Sequence, residues 1–136
     1  MKILVIDGQG GQLGGQLIKA IRGEFADADI TAIGTNAVAT ATMLKAGAHQ
    51  AATGENPVIV ACRKTDVIIG PIGIVIADSL MGEITPKMAV AIGQADVKRI
   101  LLPMNKCDNL IAGLGKPTIT SLIEDVLQKL KNDLAC

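Results

Sequence analysis

Nine residues near the amino terminus carry the strongest chemical signal: Asp7-Gly8-Gln9-Gly10-Gly11-Gln12-Leu13-Gly14-Gly15. Glycines let a backbone turn sharply and let a ligand come close to main-chain amides. A helix opening from such a turn adds unpaired N–H groups and the positive end of its dipole, a seat for an anion. Asp7, Gly8, Gln9, Gly10, Gly11, Gln12 and Gly14 are therefore the first candidate binding residues, for the phosphate of a nucleotide or dinucleotide. The set Gly8, Gly10 and Leu13 misses the third glycine of GxGxxG, whereas Gly8, Gly11 and Gly14 give GxxGxxG, a variant dinucleotide-binding spacing. The same glycines also fit a tight strand-to-helix turn with no ligand. Asp7 is awkward beside a phosphate because like charges repel. Capping the loop amides, bonding a ribose hydroxyl and helping to hold Mg²⁺ are the roles open to it.

Two further places join the first. Gly70-Pro71-Ile72-Gly73 is a second glycine turn after an apolar run. Thr35 and Asn36 close a β-rich run, where a NAD-binding domain usually carries an acid for the adenosine ribose. Here the residues are Gly34, Thr35 and Asn36, and the next base is Lys45. Neither a ribose carboxylate nor a cation for a 2′-phosphate stands at that point. Thr35 and Asn36 fit neutral bonds to a ribose or phosphate, and equally a helix N-cap. Asn105, in the run Pro103–Asn109, completes the candidate cofactor-binding residues. Cys107 follows Lys106, and a cation lowers a thiol pKa. Asp108 opposes that effect and no histidine is near in sequence, so no catalytic set is assigned. Cys62 reads as a core residue, Cys136 as a terminus and His49 as a surface turn. Lys87 at a helix start is a weak pointer to an anion.

These residues need strands to end near one another. Ile3–Ile6 is apolar without alternation, the mark of a strand covered on both faces. The pattern then predicts helix Gly11–Gly23, strand Ile30–Ile33 and helix Ala37–Ala46 with Val38, Met43 and Leu44 inward. Next come a short strand Gln50–Thr53 and a helix capped by Asn56 that runs over Val58–Lys64. Strand Asp66–Gly70 is followed by helix Ile74–Met81, a break at Gly82-Glu83-Ile84, and a helix over Lys87–Ala95 capped by Thr85-Pro86. Lys98–Leu102 is the fifth strand, and Leu110–Leu114 is a sixth strand or an edge extension. The last helix buries Leu122, Ile123, Val126, Leu127, Leu130 and Leu134, with Ser121 and Glu124 as a capping box. Strands alternating with helices make an α/β fold, a doubly wound, Rossmann-like three-layer sandwich. Its parallel sheet has the expected order 3-2-1-4-5.

Size and charge narrow the function. The 136 residues fit one domain over 1–136, and 49% hydrophobic residues can fill its core. Thirteen basic and thirteen acidic residues cancel, so no basic stripe calls for nucleic acid or an anionic membrane. The start does not read as a signal peptide, and the apolar run Val67–Ala77 is too short to span a bilayer. Three widely spaced cysteines read as reduced thiols, and a cytoplasmic setting is expected. One histidine and no ligand spacing argue against a zinc site, and no metal-ligating residues are assigned. Tyr and Trp are absent and Phe25 is the only aromatic, which removes a tyrosine acid and nearly all base stacking.

The segments Val5–Gly11, Gly34–Ala37, Thr53–Asn56, Gly70–Ile74 and Gly82–Met88 together resemble a family of small bacterial proteins catalogued as a domain of unknown function. The likeness spans nearly the whole chain. It implies a Rossmann-like domain and names no catalytic residue. Three functional readings follow. The first is a binding module for a small phosphorylated ligand, with NAD(P) or another nucleotide as the cofactor. The second is an NAD(P)-dependent oxidoreductase. The third is a non-catalytic interaction protein whose glycine loop is structural. A homodimer through an exposed small-residue helix or an edge strand is compatible with each.

Overall fold

The computed structural model describes residues 1–104 and 109–134. Five parallel strands form one sheet: β1 (Lys2–Asp7), β2 (Asp29–Gly34), β3 (Gln50–Thr53), β4 (Val67–Pro71) and β5 (Lys98–Leu102). Their order is β3-β2-β1-β4-β5, as the alternating pattern predicts. The helices are α1 (Gln12–Glu24), α2 (Ala37–Ala46), α3 (Glu55–Ala61), α4 (Pro86–Gln94) and α5 (Ile119–Asn132). The register pairs Asp7 with Gly34, and Gly34 with Thr53, so three strands end level at one edge.

Successive side chains of a strand point to opposite faces. Ile3 and Val5 of β1 therefore join a core with Leu17, Ile18, Ile21, Met43, Val126 and Leu130 of α1, α2 and α5. Leu4 and Ile6 join a second core with Val58, Ile84, Met88 and Ile92, on the side of α3 and α4. Both faces are covered, which is why β1 needs no polar alternation. A fully buried Leu or Ile contributes about 1.5–3 kcal/mol relative to exposure, so these two layers hold the sheet.

Several expectations need correction. Residues 74–81 are not a helix. A short 3-10 turn, Ile72–Val75, is followed by a looped segment in which Asp78, Leu80, Met81 and Gly82 have φ of 66°, 55°, 57° and 86°. Ile74 and Ile84 are both fully buried, and the chain must reverse between them, with the Asp78 amide donating to the Ile84 carbonyl at 2.7 Å. Tertiary anchoring at both ends overrides local helix preference. Leu110–Leu114 is not a strand, and Leu110 is 99% exposed. In α2 the inward residues are Ala39 and Met43, one turn apart, while Val38 and Leu44 are 65% and 49% exposed. α3 starts earlier, with Gly54 rather than Asn56 at the N-cap and no side-chain cap, and it ends at Ala61. The reciprocal cap of α5 is Thr118 with Ser121, three residues before the pair Ser121 and Glu124.

Candidate functional site

The glycine loop leaves β1 at Asp7, whose side chain is buried. Its Oδ1 accepts the Gly8 amide at 2.8 Å and its Oδ2 accepts the Gly14 amide at 2.7 Å. The carboxylate braces the loop from inside, which answers the awkwardness of an acid at this point. Burial pushes its carboxyl above the ordinary value, the two amides pull it back, and the nearby Glu83 charge raises it further. The Gly11 amide donates to the Gly8 carbonyl at 2.9 Å and closes the turn.

Three glycines answer to packing. A Cβ on Gly8 would lie 2.6 Å from Thr35 Oγ1. Gly11 has φ 73° and would put a Cβ 2.7 Å from the Ala39 backbone. Gly14 would put one 2.5 Å from Met43 Sδ and 2.9 Å from Asp7 Cβ, so it sets the approach of α1 to α2 and β1. GxxGxxG is thus accounted for by the fold. Gly10 differs: it is exposed, and a Cβ there would meet nothing nearer than Gln12 Cγ at 3.9 Å.

The structure adds a residue that sequence reasoning missed. Glu83 reaches over the loop, and its Oε1 accepts three hydrogen bonds. The donors are Thr35 Oγ1 at 2.5 Å, Asn36 Nδ2 at 2.9 Å and the Gln9 amide at 2.9 Å. Burial alone would raise the Glu83 carboxyl, but the three donors together outweigh it and hold it below the ordinary value. Asn36 also caps α2, its Oδ1 accepting the Ala39 amide at 2.9 Å, and its Nδ2 donates to the Gln9 carbonyl. Thr35 and Asn36 thus serve the protein's own carboxylate and helix. No local signal marks Glu83, which is 48 residues from Thr35 and 74 from Gln9 in the chain.

The second turn lies against the first. Gly70 and Pro71 are buried at the end of β4, and a Cβ on Gly70 would collide with the Ile6 carbonyl. Ile72 is half-buried, and the Gly73 carbonyl accepts the Ser79 hydroxyl. Leu80 Cδ1 is 2.8 Å from where a Cβ on Gly8 would sit, and its Cδ2 is 3.8 Å from the same point on Gly73. Leu80 therefore fills the crevice between the two turns. Asn105 lies outside the described residues, as do Lys106, Cys107, Asp108 and Cys136.

The loop amides divide into two sets. Those of Gly8, Gln9, Gly11 and Gly14 are bonded within the protein. Those of Gly10, Gln12 and Leu13 have no hydrogen-bond partner among the described residues. The unbonded amides of the loop thus lie at Gly10, just before α1, and at Gln12 and Leu13 in its first turn. Elsewhere, His49 is exposed and its Nδ1 accepts the Ile30 amide at 3.1 Å, a structural role. Cys62 is buried. Among the described residues no three His, Cys, Asp or Glu side chains converge, and no described helix is long and apolar enough to cross a membrane. Two hollows lie away from this site. One of about 290 Å³ opens at the amino ends of β1 and β2, between Lys2 and Lys64. The other, about 530 Å³, lies between α3 and α4.

With the strand order and the loop in place, the sequence can be set beside known proteins. The chain belongs to the family described as Domain of unknown function (DUF3842). That family's profile matches residues 2–135. No curated protein matches the chain. Among solved structures, the chain is similar to a dodecameric FMN-dependent Ubix-like decarboxylase from Escherichia coli O157:H7. The identity is 17% and the TM-score 0.47, over 100% of this chain and 95% of that one. It is also similar to a nucleoside-diphosphate-sugar epimerase from Pseudomonas aeruginosa, at 17% identity and TM-score 0.47, over 98% of this chain and 49% of that one. Likenesses at this level concern the fold and are silent on ligand and reaction.

Proposed function

We propose that this chain is a nucleotide-binding module that receives the phosphate of a nucleotide or dinucleotide, NAD(P) included, at the Gly8–Gly14 loop. The observation that carries the reading is the open first turn of α1. The Gly10, Gln12 and Leu13 amides lack partners among the described residues, and Gly10, the one glycine of the Gly8–Gly14 loop that packing does not require, stands exposed. Unpaired N–H groups at the positive end of a helix favour a phosphate oxygen. Asp7 takes the Gly8 and Gly14 amides and Glu83 the Gln9 amide, which leaves the Gly10, Gln12 and Leu13 amides for the phosphate. Thr35, Asn36 and the Gly70–Gly73 turn flank this seat as its supports. A cytoplasmic setting and a homodimer belong to this proposal.

A second reading, the non-catalytic interaction protein, is favoured by one observation: Leu80 and Glu83 already cover the crevice between the glycine turns. Calorimetric titration with ADP and NAD⁺ separates the two. The module binds them, and Gly10→Val, which the open surroundings of Gly10 accommodate, weakens that binding without lowering the melting temperature. Absence of affinity in the natural protein, or undiminished affinity in Gly10→Val, refutes the proposed phosphate seat.

A further inference from the structure

The tip of β2 lacks the acid that a dinucleotide fold uses to hold the adenosine ribose, yet a carboxylate is there. It arrives from the segment between β4 and α4. We infer that Glu83 is the ribose-binding carboxylate of this site, accepting the 2′,3′-diol of a nucleotide and excluding a 2′-phosphate. The inference rests on the nucleotide reading above and adds a specificity to it: ligands with an unmodified ribose.

Three observations point the same way. All three donors to Glu83 Oε1 belong to the glycine loop or to the two residues after β2, the place where the ribose of a bound dinucleotide lies. The anchored oxygen is 2.9 Å from where a Cβ on Gly8 would sit, so the carboxylate stands directly over the first glycine. Oε2 takes no hydrogen bond among the described residues, leaving one oxygen with its lone pairs for hydroxyl donors.

The segment that delivers Glu83 also bears the only left-handed non-glycine backbone among the described residues apart from Gln9. Asp78, Leu80 and Met81 all have positive φ, and Met81 is 96% exposed, so its side chain does not require that conformation. Such strain persists where the surroundings over-determine it, and it clusters at ligand clamps. Buried Ile84 and the Asp78–Ile84 hydrogen bond fix the far side of the loop. The outcome is one carboxylate placed at the β2 tip from outside β2. A fixed negative charge there hydrogen-bonds a diol and repels a phosphate ester at the same carbon.

Calorimetric titration of the natural protein and of Glu83→Gln, at one pH and salt concentration, tests the inference. The probes are NAD⁺, NADP⁺, ADP and 2′-deoxy-ADP. The natural protein is expected to favour NAD⁺ over NADP⁺ by about tenfold or more, the factor that some 1.4 kcal/mol of charge repulsion produces. It should favour ADP over 2′-deoxy-ADP by a similar factor. In Glu83→Gln the NAD⁺ preference should shrink to about threefold or less. Equal affinity of the natural protein for NAD⁺ and NADP⁺, or full discrimination retained in Glu83→Gln, overturns it. The two comparisons on the natural protein decide the matter even if the variant does not fold. Binding of all four probes without ribose discrimination removes this inference and leaves the phosphate seat standing, whereas no binding of any probe removes both.

Discussion

Replacing Asp7 by Asn tests the internal brace of the glycine loop with almost no change of shape. The natural carboxylate gives one oxygen to the Gly8 amide and the other to the Gly14 amide. Asparagine keeps one acceptor and turns an NH₂ group toward the second buried N–H. A charge-assisted hydrogen bond of about 1.5–3 kcal/mol is lost and a buried donor is orphaned. Removing a buried charge offsets part of that loss, because burial is the largest influence on Asp7. The expected net destabilisation is about 2 kcal/mol. With about 2.1 cal/mol/K of unfolding entropy per residue over 136 residues, the melting temperature should fall by about 7 °C. Urea titration should show a lower midpoint at unchanged slope.

The pH dependence supplies an independent sign. Asp7 in the folded protein has a carboxyl raised from 3.8. Its ionisation therefore costs the folded state stability, fully so above the folded value, and that cost disappears as pH falls below 3.8. Asp7→Asn has no such titration, so the stability gap between natural protein and variant should widen on acidification from neutral pH. Glu83 has the opposite sign: its lowered carboxyl stabilises above the unfolded value, and that contribution is lost as pH falls through the folded one. Present in both proteins, it drops out of the difference to first order. An unchanged midpoint refutes the bracing role assigned to Asp7, and a gap that narrows in acid refutes the dominance of burial over the two amides at its carboxyl.

Gly14→Ala should lose about 1 kcal/mol, since over-packing against Met43 Sδ and Asp7 Cβ costs about 1–3 kcal/mol and exceeds the alanine helix preference of about 1 kcal/mol; thermal melting checks it, and a variant as stable as the natural protein refutes the close helix–strand approach. Cys62 should resist iodoacetamide at pH about 8, because burial pushes its thiol up to about 11 while the Arg99 charge pulls only partly against it. Peptide mapping should find Cys62 unmodified in the folded protein and labelled in urea, and labelling in the native state refutes its placement in the core.

The residue string alone determined the layers. Uninterrupted apolar runs at Ile3–Ile6 and Val67–Ile69 required cover on both faces, and helical patterns between strands required parallel crossovers, so the order β3-β2-β1-β4-β5 was legible in advance. The glycine loop and its helix were legible for the same local reason, as was the capping capacity of Asn36. Which glycines serve packing and which stands free was not, because the answer depends on Met43, Ala39 and Thr35 arriving from other elements. The helix expected over 74–81 failed because two isoleucines buried ten residues apart in sequence forced a reversal that local preference does not encode. Glu83 is the clearest case. Its meaning comes from donors 47 to 74 residues away, and only the folding of the chain around its sheet brings that carboxylate to the loop. Local periodicity is written in neighbouring residues, whereas a site assembled from distant segments exists only once the long-range contacts have formed.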